Sequence, residues 1–224
     1  EPFCTRWDAL PAGSEQRRVF GEGHFEKRTR YQGVEIVERI EAPAGDDPVL
    51  LSTTGVRNDT GAPVEIGVAE FWDLNVEQLT AAPVLNFGLD DYYQWRRQWL
   101  NRKFDVRGAW DAQNQTLRID FSTRHPARAP AADQPAMADF HLRSYFLSAL
   151  DPLPESFIEY TTDASKVSRN VFGAAMDSRL IARTNLRDAK ACLSMRRTAR
   201  LGPGESATWR YAVGYGTPDD AVAL

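Results

Sequence analysis

The sequence predicts an all-β, mainly antiparallel fold built as one large sandwich with one or two short helices. Runs of β-branched and aromatic residues with period-two alternation recur along the chain. Turn-forming residues separate them at short intervals. Long helical stretches do not stand between them, which argues for a sandwich over a βαβ arrangement.

The strand signals fall in order at 18–20, 33–41, 49–57, 64–71, 116–121, 140–148, 156–161, 192–199 and 207–215. Asn58-Asp59-Thr60-Gly61 lies between two of these runs, and Asp111-Ala112-Gln113-Asn114 precedes another; both carry residues that tolerate tight turns, and both read as hairpins. Gly202-Pro203-Gly204-Glu205 reads as a third hairpin, joining 195–201 to 207–215. Asp90 to Asn101 is a short helix or an irregular excursion. The proline- and alanine-rich stretch from Pro126 to Pro135 is a surface loop. No linker divides the chain, so residues 1–216 are expected to form a single domain.

Composition narrows the function. The 224 residues, 42% of them hydrophobic, suffice for a core of the size that all-β domains of roughly 200–250 residues form. Charges nearly balance, 27 Lys and Arg against 31 Asp and Glu, so neither nucleic acid nor an anionic membrane is an expected partner. No stretch approaches the ~20 apolar residues of a membrane helix. Cys4 and Cys192, far apart, read as two free thiols, with a single disulfide as the alternative in an exported protein.

Candidate chemistry is sparse. His24, His125 and His141 stand in no nucleophile or metal-ligand spacing, so no metal and no catalytic residue is assigned. Glu70, Asp73, Asp90 and Asp91 offer carboxyls of the kind a glycosidase pairs, but read better as solvated strand-end and loop charges. Tyr92-Tyr93-Gln94-Trp95-Arg96-Arg97-Gln98-Trp99 combines aromatic planes with hydrogen-bonding heads, a composition suited to sugars. Tyr92, Trp95 and Trp99 also share the spacing of one buried helical face, so Trp95 and Trp99 are either core or domain-interface residues or sugar contacts.

Read in order, several short motifs resemble the N-terminal β-sandwich of the inverting glycoside phosphorylases, the group of cellobiose, chitobiose and β-glucan phosphorylases. These are Phe20-Gly21-Glu22-Gly23-His24-Phe25 with Tyr31-Gln32-Gly33-Val34-Glu35-Ile36, then Val56-Arg57-Asn58-Asp59-Thr60-Gly61, then Ala69-Glu70-Phe71-Trp72. Thr161-Thr162-Asp163 to Phe172-Gly173 follows, and then Leu193-Ser194-Met195-Arg196-Arg197 with Leu201-Gly202-Pro203-Gly204-Glu205. Phe172 lacks the Leu that the family places before the glycine, and the 126–135 loop has no counterpart.

The resemblance implies a galactose-mutarotase-like supersandwich that serves as the accessory domain of a phosphorylase. Such an enzyme cleaves a β-linked gluco-oligosaccharide with inorganic phosphate as co-substrate and needs no other cofactor. The catalytic acid would lie in a C-terminal (α/α)6 barrel, and this chain alone would not be catalytic. The resemblance also implies a cytoplasmic homodimer. The loop of Arg169, Asn170 and Phe172, with Arg179, would reach substrate at the neighbouring subunit's active site, or else is a surface loop anchored by Phe172. Thr217 to Leu224 reads as the first turn of a linker helix, with Thr217 as N-cap and Pro218 at N1, so polypeptide is expected to continue beyond it. The alternative reading is a stand-alone carbohydrate-binding or interaction module without enzymatic activity.

Overall fold

The computed structural model describes residues 4–6, 10–74, 104–123, 144–151, 159–163 and 191–216. Eleven strands run through them: β1 (Glu15–Gly21), β2 (His24–Tyr31), β3 (Val34–Glu41), β4 (Val49–Asn58), β5 (Val64–Asp73), β6 (Phe104–Asp111), β7 (Thr116–Thr123), β8 (Ser144–Ala149), β9 (Glu159–Asp163), β10 (Ala191–Leu201) and β11 (Ser206–Gly216). Every pairing is antiparallel. The expected short helices at 90–101 and 217–224 lie outside the described residues, and no helix occurs among those described.

The strands form two sheets, one of eight in the order β1-β2-β3-β4-β11-β8-β7-β6 and one of three in the order β5-β10-β9. Alternation explains the layering. On β4, Ser52, Thr54, Val56 and Asn58 face inward, and register places Tyr211, Trp209 and Ala207 beside the first three. Leu117, Ile119, Leu147, Val213 and Tyr211 meet Leu193, Met195 and Leu201 of the small sheet in one hydrophobic core. Trp110 of β6 stacks on Tyr160 of β9 with ring centroids 4.4 Å apart, a further tie between the layers.

Two expected hairpins prove to be something else. Asn58–Gly61 leads from β4 in the large sheet to β5 in the small one, and Gly202–Glu205 leads from β10 back to β11. The β4–β11 ladder therefore continues as the β5–β10 ladder, one two-stranded ribbon bent over a corner. The sequence signal was sound as turn chemistry, but turn residues do not reveal whether the next strand pairs with the last. The 111–114 turn is a true hairpin, pairing Asp111 with Thr116. β2 and β6 carried no strand expectation. β2 is dense in charge, as HFEKRTRY, because one of its faces points to solvent.

Candidate functional site

Beside the ion pairs of the strand surfaces, polar groups gather in a cluster between the sheets, at the ribbon corner, and in an open cleft beside that corner. The cluster begins at Glu70 on β5, which stands one residue pair along from Trp72 on the same inward face. Its Oε1 accepts hydrogen bonds from the Ser52 hydroxyl and the Trp72 indole, each at 2.8 Å, while the Thr54 hydroxyl lies 3.5 Å from Oε2. Burial raises the Glu70 pKa above the usual carboxyl range, opposed by the Ser52 and Trp72 hydrogen bonds and reinforced by the charge of Glu38. Glu70 is thus not the solvated strand-end charge expected from its position. It sits on the inward phase of an alternation that reads Val64, Ile66, Val68, Glu70, Trp72, which is the signal that places it.

Next to it are two groups that the sequence reading missed. Arg197 of β10 is 2% exposed, with its Cζ 4.8 Å from the centroid of the Tyr211 ring and its Nη1 3.6 Å from Asp151 Oδ2. That separation makes an ion pair rather than a hydrogen bond. The three guanidinium nitrogens and the Tyr211 hydroxyl are sealed from solvent and accept or donate no hydrogen bond. Burial lowers the Arg197 pKa, with Tyr211 and Asp151 partly offsetting it. Burial likewise pushes the Tyr211 phenol well above its ordinary range, against the pull of Arg197. Asp151 also accepts from the Arg210 backbone N–H at 2.6 Å and from its Nε at 2.9 Å.

No reactant reaches atoms sealed in this way, and each shift favours the uncharged form of its group. The chemistry available is cohesion: Glu70 of the small sheet is tied to Ser52 and Thr54 of the large one, fixing how the layers sit on each other.

The ribbon corner is the second polar centre. Asn58 Nδ2 donates to the carbonyls of Ala62, Leu201 and Gly202 at 2.8, 3.0 and 3.0 Å. Its Oδ1 accepts from the Thr60 backbone N–H at 2.9 Å and hydroxyl at 2.6 Å. The Asp59 N–H donates to Gly33 O at 2.7 Å, bringing the β2–β3 turn to the same place. Three of the motif segments, 31–36, 56–61 and 201–205, meet here.

The assigned sugar contacts Trp95, Trp99, Arg169, Asn170, Phe172 and Arg179 lie outside the described residues, as do Asp90, Asp91, His125 and His141. His24, at the β1–β2 turn, lies with Nδ1 3.3 Å from Glu22 O. Cys4 and Cys192 are both free thiols, Cys192 fully buried. Among the described residues, no group of three or more His, Cys, Asp or Glu is placed to hold a metal, and no helix is long and apolar enough to cross a membrane.

No family model and no curated protein matches this chain. Among solved structures it is similar to a polysaccharide lyase, at 13% identity over 87% of this chain and 22% of that one, with a TM-score of 0.44. It is also similar to an Escherichia coli K12 protein assigned as an aldose 1-epimerase, at 13% identity over 91% of this chain and 69% of that one, with a TM-score of 0.40. The chain thus spans about a fifth of the lyase's length. The two-layer architecture rests on this chain's own strand pairings.

Proposed function

We propose that this chain is the carbohydrate-associated β-sandwich of a glycoside phosphorylase, whose catalytic acid and phosphate pocket belong to a helical barrel outside it. The observation that carries the reading is the corner. Motif segments that resemble the phosphorylase sandwich, far apart in sequence, converge on Asn58 as one hydrogen-bonded unit. Their role there is architectural, as suits an accessory domain: they bend the ribbon, and the polar cluster behind it ties the layers.

In this reading the whole enzyme transfers a glucosyl group from a β-linked gluco-oligosaccharide to inorganic phosphate with inversion. The sandwich packs on the barrel and takes part in a dimer. The test is phosphorolysis by the full-length protein against a panel of β-linked gluco-oligosaccharides, with release of sugar 1-phosphate as the readout. Phosphate-dependent cleavage by the full-length protein and none by the 224-residue chain is the expected result. Cleavage by the isolated chain, or a full-length protein indifferent to phosphate, overturns it.

A further inference from the structure

An open cleft of about 440 Å³ lies where the start of β1, the β2–β3 turn and the Asp59 turn meet, lined in part by Gly13, Glu15, Arg30, Tyr31, Gln32 and Asp59. Its volume falls within the ~300–1,000 Å³ typical of small-molecule sites. The wall is built by a tight hairpin. Tyr31 pairs with Val34 across the two-residue turn Gln32-Gly33, where φ is +48° and +76°, the left-handed pair that a type I′ turn demands. Gln32 then folds back, its Nε2 donating to the Tyr31 phenol oxygen at 3.1 Å and holding that ring in place.

The charges of the wall are paired with one another yet keep hydrogen-bonding capacity, since a guanidinium has five donors and a carboxylate several acceptor sites. Arg30 stands between Glu15 and Glu35 in the cross-strand register. Its Nε donates to Glu35 Oε1 at 2.8 Å, and its Nη2 lies 2.8 Å from the same oxygen. Asp59 is held by Arg57 Nε at 2.7 Å. Glu35 also lies 3.9 Å from Arg28 Nη1, so Glu15, Glu35 and Asp59 stand against Arg28, Arg30 and Arg57, a balanced neighbourhood with no positive excess to draw a phosphate or carboxylate ligand.

We propose that this cleft is a binding subsite for a neutral glycan, a gluco-oligosaccharide bearing neither phosphate nor uronate groups. Glu15 and Asp59 accept hydrogen bonds from sugar hydroxyls, and the guanidinium of Arg30 donates to them. The Tyr31 ring supplies the flat apolar edge against which a pyranose C–H face rests. Charged hydrogen bonds on both sides match vicinal hydroxyls, which donate and accept at once. The inference rests on the carbohydrate reading above, and deepens it by naming a place where the sandwich itself holds sugar.

The test is calorimetric titration of the full chain with cellotetraose and, separately, with a glucuronate-containing oligosaccharide of the same length. The neutral sugar is expected to bind and the acidic one to bind at least several-fold more weakly. Glu15→Gln and Arg30→Gln are each expected to weaken the neutral sugar by about tenfold or more, the loss of one charge-assisted hydrogen bond, with an unchanged thermal midpoint. Glu15→Gln alone decides the matter if Arg30→Gln loses stability. No binding of cellotetraose, wild-type affinity in the variants, or equal affinity for the acidic sugar overturns the inference. Phosphorolysis by the full-length protein separates the two claims: activity without cleft binding sinks the subsite and spares the enzyme reading, whereas cleft binding without phosphorolysis does the reverse.

Discussion

The backbone carbonyl of Asn58 accepts the Gly204 N–H at 2.7 Å, while its side-chain amide donates to the carbonyls of Ala62, on its own side of the corner, and of Leu201 and Gly202 across it. One fully buried amide thus serves both chains of the ribbon at the point where they leave one sheet for the other. Truncating it strands several carbonyls at once. Asn58→Ala is expected to destabilise the domain by about 2–4 kcal/mol in urea denaturation, since each buried group left unpaired costs roughly 1–3 kcal/mol. Asn58→Asp should be at least as damaging, because a carboxylate presents only acceptors to those carbonyls.

Gly33 brings the β2–β3 turn against the same corner. Its φ is +76°, and a Cβ there would stand 2.7 Å from the Thr60 methyl carbon. Gly33→Ala should lose about 1–3 kcal/mol from left-handed strain and the clash together. Adding Thr60→Ser, which removes the methyl and keeps the hydroxyl that donates to Asn58 Oδ1, should recover part of the loss. A double variant no more stable than Gly33→Ala by thermal melting would show that the clash is not felt.

Glu70 makes stability depend on pH in an unusual direction. Its folded pKa is raised by burial above the ~4.3 of an unfolded glutamate. Between the two values the folded chain holds a proton that the unfolded chain releases, so stability falls as pH rises through that window. Glu70→Gln keeps an oxygen for Ser52 and Trp72 but cannot ionise. The difference in unfolding free energy between variant and wild type, followed from pH 4 to pH 8, should shift in the variant's favour as pH rises. A flat difference would place the Glu70 pKa at its ordinary value. Glu70→Ala should lose about 1–3 kcal/mol at any pH in that range, because Ser52 and Trp72 lose their acceptor.

Arg197 carries a buried charge whose nitrogens lack hydrogen bonds. Replacement of such groups by apolar residues of similar volume is often neutral or stabilising by about 1–4 kcal/mol. Arg197→Met is therefore expected to match or exceed the wild type in urea. Asp151→Asn should lose about 1–3 kcal/mol, a range reduced because Asp151 is 22% exposed. The reverse ranking of the two variants would mean that the guanidinium, not its partner, sustains the interior.

The fold class was legible because alternation and turn residues are local, and antiparallel strands leave both in the sequence. Glu70 and Arg197 were legible in principle, each sitting on the inward phase of a strand whose neighbours are apolar. They were missed because residue type outweighed phase. The corner was half legible: Asn58 and Gly202-Pro203-Gly204 announced turns, but no local signal records that one turn's carbonyls are served by the other's side chain, 143 residues away. The cleft was hidden for the same reason, since Glu15, Tyr31 and Asp59 meet only through pairing register.

Among the described residues, the small sheet packs on β7, β8 and β11 and reaches β4 through Glu70, with Val34 and Ile36 of β3 at the margin of its core, leaving β1 and β2 as an overhang met by the Thr5 segment instead. Such an arm can breathe, exchanging its amides sooner than the doubly covered centre. It can also drift in sequence at small penalty to the rest, which makes the overhang the part of the molecule freest to change what it touches.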